Sequence, residues 1–267
     1  MIKMKIKADL HNHGGTLLYN GDFNKVIDRA HKKLGFNGIL GWINFADNRY
    51  ETLVSKKGYE RQDLGNAVYV PEKNILVLRG QEIGTKQGHL LVLGLKENLK
   101  DQRTLEDTLK EAKDNNGIII ADHPFYFEGL GKYLIKNPDL IEDFDAIEIH
   151  NGCANFYPFN ANKKARIFYN HQTPFDDLGS VSFSDGHSLN EIGSSYTCLE
   201  NIDFSDSPKL LDSLKTAIKS HKDISRDKQH NSRFRTLEHI WKLSSVILLH
   251  KLGINLGINP NNINSVN

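Results

Sequence analysis

Apolar and polar positions along the chain follow two periods in turn. Residues 2–10, "IKMKIKADL", largely alternate apolar and polar and predict a first strand. "FNKVIDRAHKKLGF" then sets Val26, Ile27, Ala30 and Leu34 at helical spacing, with Asp22 or Asn24 as N-cap. Further strands are predicted over 37–45, 74–83, 88–95, 117–125, 145–152 and 179–187, and the runs 74–83 and 88–95 are close enough to pair as a hairpin. Helices are predicted over 104–116, where Thr104 and Asp107 make a capping-box start, and over 207–221, with Pro208 in its first turn. Residues 46–73 are polar and irregular, with a short helix near 61–69. From Leu237, the residues Ile240, Trp241, Leu248 and Leu252 recur at helical spacing and predict an amphipathic C-terminal helix. Repeated strand–helix alternation over this length argues for an α/β architecture, most economically a barrel.

Composition narrows the function classes. With 267 residues, 39% hydrophobic and 25% charged, the chain can bury a sizeable core in one large domain or two small ones. A net charge of +1 gives no global electrostatic case for nucleic acid or membrane. Cys153 and Cys198 lie outside any Cys-x-x-Cys, which points to a reducing compartment without a disulfide framework. The first residues lack the apolar region of a signal peptide, and "VILLHKLGI" falls short of the roughly 20 residues that span a bilayer. A cytoplasmic, soluble protein is expected.

The candidate chemistry begins at "ADLHNHGG" (8–15). His11 and His13, two apart at the end of a strand, would face the same side. Alone this is either a metal site or a polar exit from a strand. Of the 12 histidines, His11, His13, His89, His123, His150 and His187 sit at or beside predicted strand ends. Asp9, Asp47, Glu82, Asp122, Glu148 and Asp185 accompany them. His31, His171, His221, His230, His239 and His250 fall in helices or loops and read as structural or exposed. One strand-terminal histidine is more often solvated or hydrogen-bonded than a ligand. Histidines at nearly every strand end, paired with carboxylates, favour a metal cluster on the working face of a barrel.

These segments, in order, resemble the PHP (polymerase and histidinol phosphatase) superfamily over roughly residues 5–200. "DLHNH" (9–13) looks like its first motif, and "GQEI" (80–83) like the strand carrying a metal-bridging Glu, with "GHLLVLGL" (88–95) after it. "ADHPF" (121–125) is similar to the Ala-His-Pro motif with one residue inserted. "AIEIHNG" (146–152), "SFSDGHS" (182–188) and "EIGSSYT" (191–197) resemble the Glu-rich strand, the last metal motif and the closing strand. The resemblance implies a distorted (β/α)7 TIM-like barrel over 1–205; the residues themselves predict C-terminal helices over 206–254 packed on it and a flexible Asn-rich tail, 255–267. The resemblance also implies His11, His13, Glu82, His123, Asp185 and His187 as metal ligands. His89 falls on a ligand used by many members, and His150 near one used in some branches. Asp9 and Glu148 are implied as partners that orient ligands. The chain departs from the family at "FADN" (45–48), where Asn48 stands in place of a ligating His and Asp47 is the alternative donor. Two metal ions per chain are therefore expected.

An imidazole and carboxylate set suits Mn²⁺, Zn²⁺ or Fe²⁺. Two such ions about 3.5–4 Å apart can bridge a hydroxide and bind phosphate oxygens. Glu82 is the expected bridge, and His187, then His89, the candidate for protonating the leaving oxygen. Arg79, Arg49 and Lys86 lie beside the site in sequence as candidate phosphate holders, although each alone reads as a surface cation. The expected activity is hydrolysis of a small phosphate monoester, a nucleotide or a short oligonucleotide. The alternatives are a metal-dependent C–N hydrolase and a non-catalytic, degenerate PHP module. No Walker loop or nucleophile elbow is present, and "EGLGKYL" (128–134) is no dinucleotide fingerprint. Specificity is expected in the loops 46–73 and 153–178. Residues 226–242 carry five Lys/Arg against two acids. They are expected to pack on the barrel, with a basic patch for an oligonucleotide or partner protein as the alternative.

Overall fold

The computed structural model describes residues 5–13, 22–45, 47–154, 160–171 and 177–222. Ten strands form one sheet: β1 (Lys5–Asp9), β2 (Gly38–Asn44), β3 (Gln62–Asp63), β4 (Ala67–Val70), β5 (Ile75–Gly84), β6 (His89–Leu93), β7 (Ile118–Ala121), β8 (Ala146–Asn151), β9 (Gly179–Phe183) and β10 (Thr197–Glu200). The helices are α1 (Phe23–Leu34), α2 (Arg49–Val54), α3 (Leu105–Asp114), α4 (Gly131–Lys136), α5 (Ala161–His171) and α6 (Ser207–Ser220). Local chemistry sets their starts. Asp22 caps α1 by accepting from Lys25 N, and Thr104 caps α3 by accepting from Asp107 N.

The strand order is β10-β1-β2-β5-β6-β7-β8-β9, with the β3–β4 hairpin laid on β5. β1, β2 and β5 are mutually parallel, as are β7, β8 and β9, while β6 runs antiparallel to both β5 and β7. β10 is antiparallel to β1. Of the eight strands in that order, six therefore point one way and β6 and β10 the other. The sheet's two ends approach each other at Thr197, whose Oγ1 accepts from Ser182 N (2.8 Å) and donates to Ser182 O (3.0 Å). Asn12 adds a parallel bridge to Gly186. The result is a nearly closed, TIM-like α/β barrel.

Alternate strand residues, among them Ile39 and Ile43 of β2 and Leu76 and Leu78 of β5, fill the barrel interior. Leu210, Leu214 and Ile218 of α6 join that cluster, and His221 O accepts from Ser180 N at the start of β9. This helix thus closes the end from which the parallel strands set out and leaves their C-terminal rim for chemistry. Outside, α1 packs Val26, Ile27 and Ala30 on Leu40 and Trp42 of β2, and α3 packs Leu109 and Ala112 with Val92 and Ile119. No helix among the described residues is long and apolar enough to cross a membrane.

Three expectations change. The helix near 61–69 is instead the β3–β4 hairpin. Gly65, at φ +86°, turns the chain there, and the β-favouring run Val68-Tyr69-Val70 pairs with β5. The stretch 153–178 is not only loop, because Ala161, Ala165 and Phe168 are buried at helical spacing in α5. The closing strand forms at Thr197–Glu200, starting only at the last residue of the segment 191–197 expected to carry it. The amphipathic helix from Leu237, the basic run 226–242 and the tail 255–267 lie outside the described residues.

Candidate metal centre

The topology gathers residues far apart in sequence at one rim. Glu82 near the end of β5, Asp122 and His123 after β7, Glu148 in β8, and Asp185 and His187 after β9 arrive on strands that run the same way. Because β6 is reversed, its first residue, His89, starts at this rim beside Glu82. β1 delivers His11 and His13 by a different device. Gly41 occupies an interior position of β2 between Ile39 and Ile43, and a Cβ there would stand 2.2 Å from Leu10 O. The missing side chain lets the backbone leaving β1 cross close over β2. The Asn12–Gly186 bridge and the bond from His13 N to Gly186 O (2.7 Å) then hold both histidines inside, fully buried.

Glu82 sits at the centre. Its Oε1 is 2.6 Å from His89 Nδ1 and 2.9 Å from His123 Nε2, while its Oε2 is 3.0 Å from His13 Nε2 and 3.9 Å from His11 Nε2. The two oxygens thus face two separate histidine pairs. Two donors each about 2.1 Å from one ion stand about 3.0–3.4 Å apart across octahedral to tetrahedral angles. His11 Nε2, His13 Nε2 and Asp185 Oδ1, mutually 3.0, 3.5 and 3.6 Å apart, form a triangle of nearly that size. His11, Glu82, Asp122 and His123 form a second group with ligand atoms within 4.8 Å of one another, and Cys153, Asp185 and His187 a third. His11 Nδ1, His13 Nδ1, His123 Nδ1 and both Asp122 oxygens are buried without hydrogen-bond partners among the described residues. The donor set fits divalent ions of the Mn²⁺, Zn²⁺ and Fe²⁺ type.

The electrostatics are those of opposed charges forced out of water. Burial would raise Glu82, yet His89 and His13 hold its carboxyl well below the usual range. Burial likewise opposes the fall of Asp185, which His11 and His187 hold well below its ordinary value. Burial pushes Asp122 up to about 7 and His13 down to about 3. For His123 burial is outweighed by Asp122 and Glu82, which lift it to about 9. The backbone is strained at the same place. His123 has φ +26°, Asp185 φ +48° and Glu128 φ +54°, the left-handed region that most non-glycine residues avoid.

The remaining sequence-predicted residues divide. Asp9, fully buried, accepts from Ser184 N (2.9 Å) and Gly193 N (2.7 Å), so it anchors the backbone on both sides of Asp185 and His187. Glu148 Oε2 accepts from His123 N (2.7 Å) and Asn151 Nδ2 (3.0 Å), and its Oε1 is 3.6 Å from His11 Nδ1. His150 is buried in β8 but is not in the three converging groups. Asp47 is not brought to the cluster, because it pairs with Arg49 Nε at 2.8 Å. Asn48 Oδ1 instead accepts from Asn98 Nδ2 (3.1 Å). Arg49 lies 4.4 Å from the centre of the Phe45 ring, which itself stacks on His13 at 4.3 Å, so it reaches the edge of the site and not its middle. Arg79 is turned away. It stands three residues from Glu82 and thus on the other face of β5, where it donates to Glu51 Oε1 (2.6 Å), Leu95 O (3.0 Å) and Asn98 Oδ1 (2.7 Å). Lys86 is exposed in the β5–β6 turn. Sequence reasoning left out Asp122 as a donor, although it adjoins His123. It also left out Glu128, which is 2.7 Å from His89 Nε2, and Glu191, which accepts from His187 N at 3.0 Å. Glu128 stands in no motif that would have marked it, and Glu191 opens "EIGSSYT", which the resemblance marks only as the closing strand.

No protein-family model and no curated protein sequence matches the chain. Solved structures do, and they define the fold as a PHP-type barrel. A two-domain protein from Bacteroides vulgatus, containing a predicted PHP-like metal-dependent phosphoesterase, matches 82% of this chain at 16% identity with a TM-score of 0.53. Endonuclease Q, in complex with a 27-mer duplex bearing an abasic lesion at its active site, matches 84% at 14% identity with a TM-score of 0.53. The lesion-specific endonuclease PfuEndoQ from Pyrococcus furiosus matches 89% at 15% identity with a TM-score of 0.56. The chain spans 64%, 58% and 66% of those three chains, in that order.

Proposed function

We propose that the chain is a metal-dependent phosphoester hydrolase acting on a small phosphate monoester, a nucleotide or a short oligonucleotide. The observation that carries this reading is Glu82, whose two oxygens face separate histidine pairs inside a buried rim. His11, His13, Glu82, His123 and Asp185 would hold two divalent ions, with Glu82 between them. Ions so held supply water activation near neutral pH and offset the charge of a phosphate.

The chain's own residues do the rest. Asp9 and Glu148 fix the backbone of the ligand segments through the hydrogen bonds above, which limits the reorganisation the site needs. His89 and His187 are the most exposed of the clustered histidines, with side chains 19% and 14% accessible against 6% or less for His11, His13 and His123. They therefore stand where a substrate's leaving oxygen would arrive and are the candidates for delivering a proton to it. A nucleic-acid substrate draws support from the Endonuclease Q likeness, one structure of which holds a lesion-bearing duplex. A cytoplasmic location goes with this reading, since Cys153 and Cys198 form no disulfide.

The test is metal content by mass spectrometry on freshly purified chain beside His11→Ala and Asp185→Ala. A screen against p-nitrophenyl phosphate and short oligonucleotides follows. Two ions per chain, lost in both variants together with the hydrolysis, are expected. No bound metal after reconstitution with Mn²⁺ or Zn²⁺ overturns the proposal.

A further inference from the structure

We infer that Asp122 is itself a metal ligand, a carboxylate that completes a site with His11, Glu82 and His123 on the β5–β7 side of the cluster. The inference rests on the metal-dependent reading above.

Asp122 is fully buried, and neither of its oxygens accepts a hydrogen bond from any of the described residues. Among the described residues, His123 Nε2 lies 3.2 Å from its Oδ2, and ligand atoms of His11 and Glu82 stand within 4.8 Å of its carboxylate. Each of the other buried carboxylates has a partner on at least one oxygen, and of their buried oxygens only Glu148 Oε1 is left over among the described residues. Asp9 takes two backbone N–H groups, Asp145 takes Ile119 N, Glu148 takes His123 N, Glu191 takes His187 N, and Asp185 takes Asn151 Nδ2. Glu82 is ringed by histidines. A buried carboxylate without donors is a liability that folding does not sustain unless something else binds it.

The backbone explains how the donor reaches the site. Successive residues of a regular strand point to opposite faces. Asp122 and His123 nevertheless share one group with Glu82, because His123 turns into the left-handed region at φ +26°. The residue inserted into "ADHPF" is thus used rather than bulged outward. It adds an oxygen donor to a rim where Asp47 and Asn48 make their contacts elsewhere.

The experiment compares the full chain with Asp122→Asn, which keeps the shape and removes the charge. Metal content, Mn²⁺ affinity by chelator competition, and melting temperature in EDTA are measured for both. Losing even a partner behind a ligand costs about 10–100-fold in metal affinity, so loss of a direct ligand should weaken Mn²⁺ binding at least about tenfold and remove one ion per chain. In EDTA the variant should melt at or above the unsubstituted chain, because it no longer buries an unpaired charge. Unchanged metal content and affinity in Asp122→Asn overturn this inference and leave the hydrolase reading standing. A variant that melts well below the unsubstituted chain in EDTA overturns it too, by making Asp122 a structural support. An unsubstituted chain that takes up no metal overturns both.

Discussion

The route of the backbone from β1 into the site depends on Gly41, and replacing it with Ala is the sharpest perturbation of the fold–site link. The added Cβ would stand 2.2 Å from Leu10 O, 2.5 Å from Leu10 C and 2.6 Å from Leu10 Cα. These are backbone atoms, so the chain itself must move by more than about 1 Å to restore contact distances near 3.5 Å. Overpacking of this kind costs about 1–3 kcal/mol, and backbone without rotamer freedom belongs at the upper end. The displaced segment carries His11 next in sequence. Misplacement by about 1 Å is enough to lose about 100-fold in a function that needs the geometry. Gly80→Ala is the control. It lies on β5 opposite Ile43 of β2, and its Cβ would meet Ile43 Cδ1 at 2.5 Å and Leu93 Cδ2 at 2.7 Å. Those are side-chain tips that can swing, so its cost should stay near 1 kcal/mol. Urea denaturation in EDTA gives the stabilities, and chelator competition gives the metal affinities. If Gly41→Ala matches Gly80→Ala in stability and keeps its metal affinity, the close crossing is not what seats His11 and His13.

Two further outcomes are expected. Arg79→Met should lose about 1–3 kcal/mol, because Leu95 O and Asn98 Oδ1 lose a buried donor. The KM for p-nitrophenyl phosphate should not move, and a raised KM at unchanged stability would return Arg79 to the phosphate. Asp9→Ala strips the acceptor from two buried N–H groups, Ser184 N and Gly193 N, at about 1–3 kcal/mol each. Stability in EDTA and metal affinity should therefore fall together, with Asp9→Asn in between. Asp9→Ala within about 0.5 kcal/mol of the unsubstituted chain would deny the anchor its role.

Much of this was legible along the chain. The two hydrophobic periods marked β1, α1, β2, β5, β6, α3, β7, β8, β9 and α6, since each buries one face and each face is written locally. Parity alone could have removed Arg79 from the phosphate candidates, because an odd spacing from Glu82 on one strand means opposite faces. Parity would also have separated Asp122 from His123, wrongly, because the positive φ at His123 breaks the pleat. The β3–β4 hairpin escaped because two short strands in a polar stretch carry too little periodicity to be told from a helix.

The kinds of element, and the imidazoles and carboxylates at strand ends, are written locally, since both are properties of neighbouring residues. Which of those groups meet is set by how distant strands come together. Asp9 is tied to Ser184 across 175 positions and to Gly193 across 184, by bonds that exist only once the sheet has curled on itself. The reversal of β6, the crossing over Gly41 and the turn at His123 likewise depend on strands far apart in sequence. The histidines can be read from the chain, whereas the centre they form follows from barrel closure.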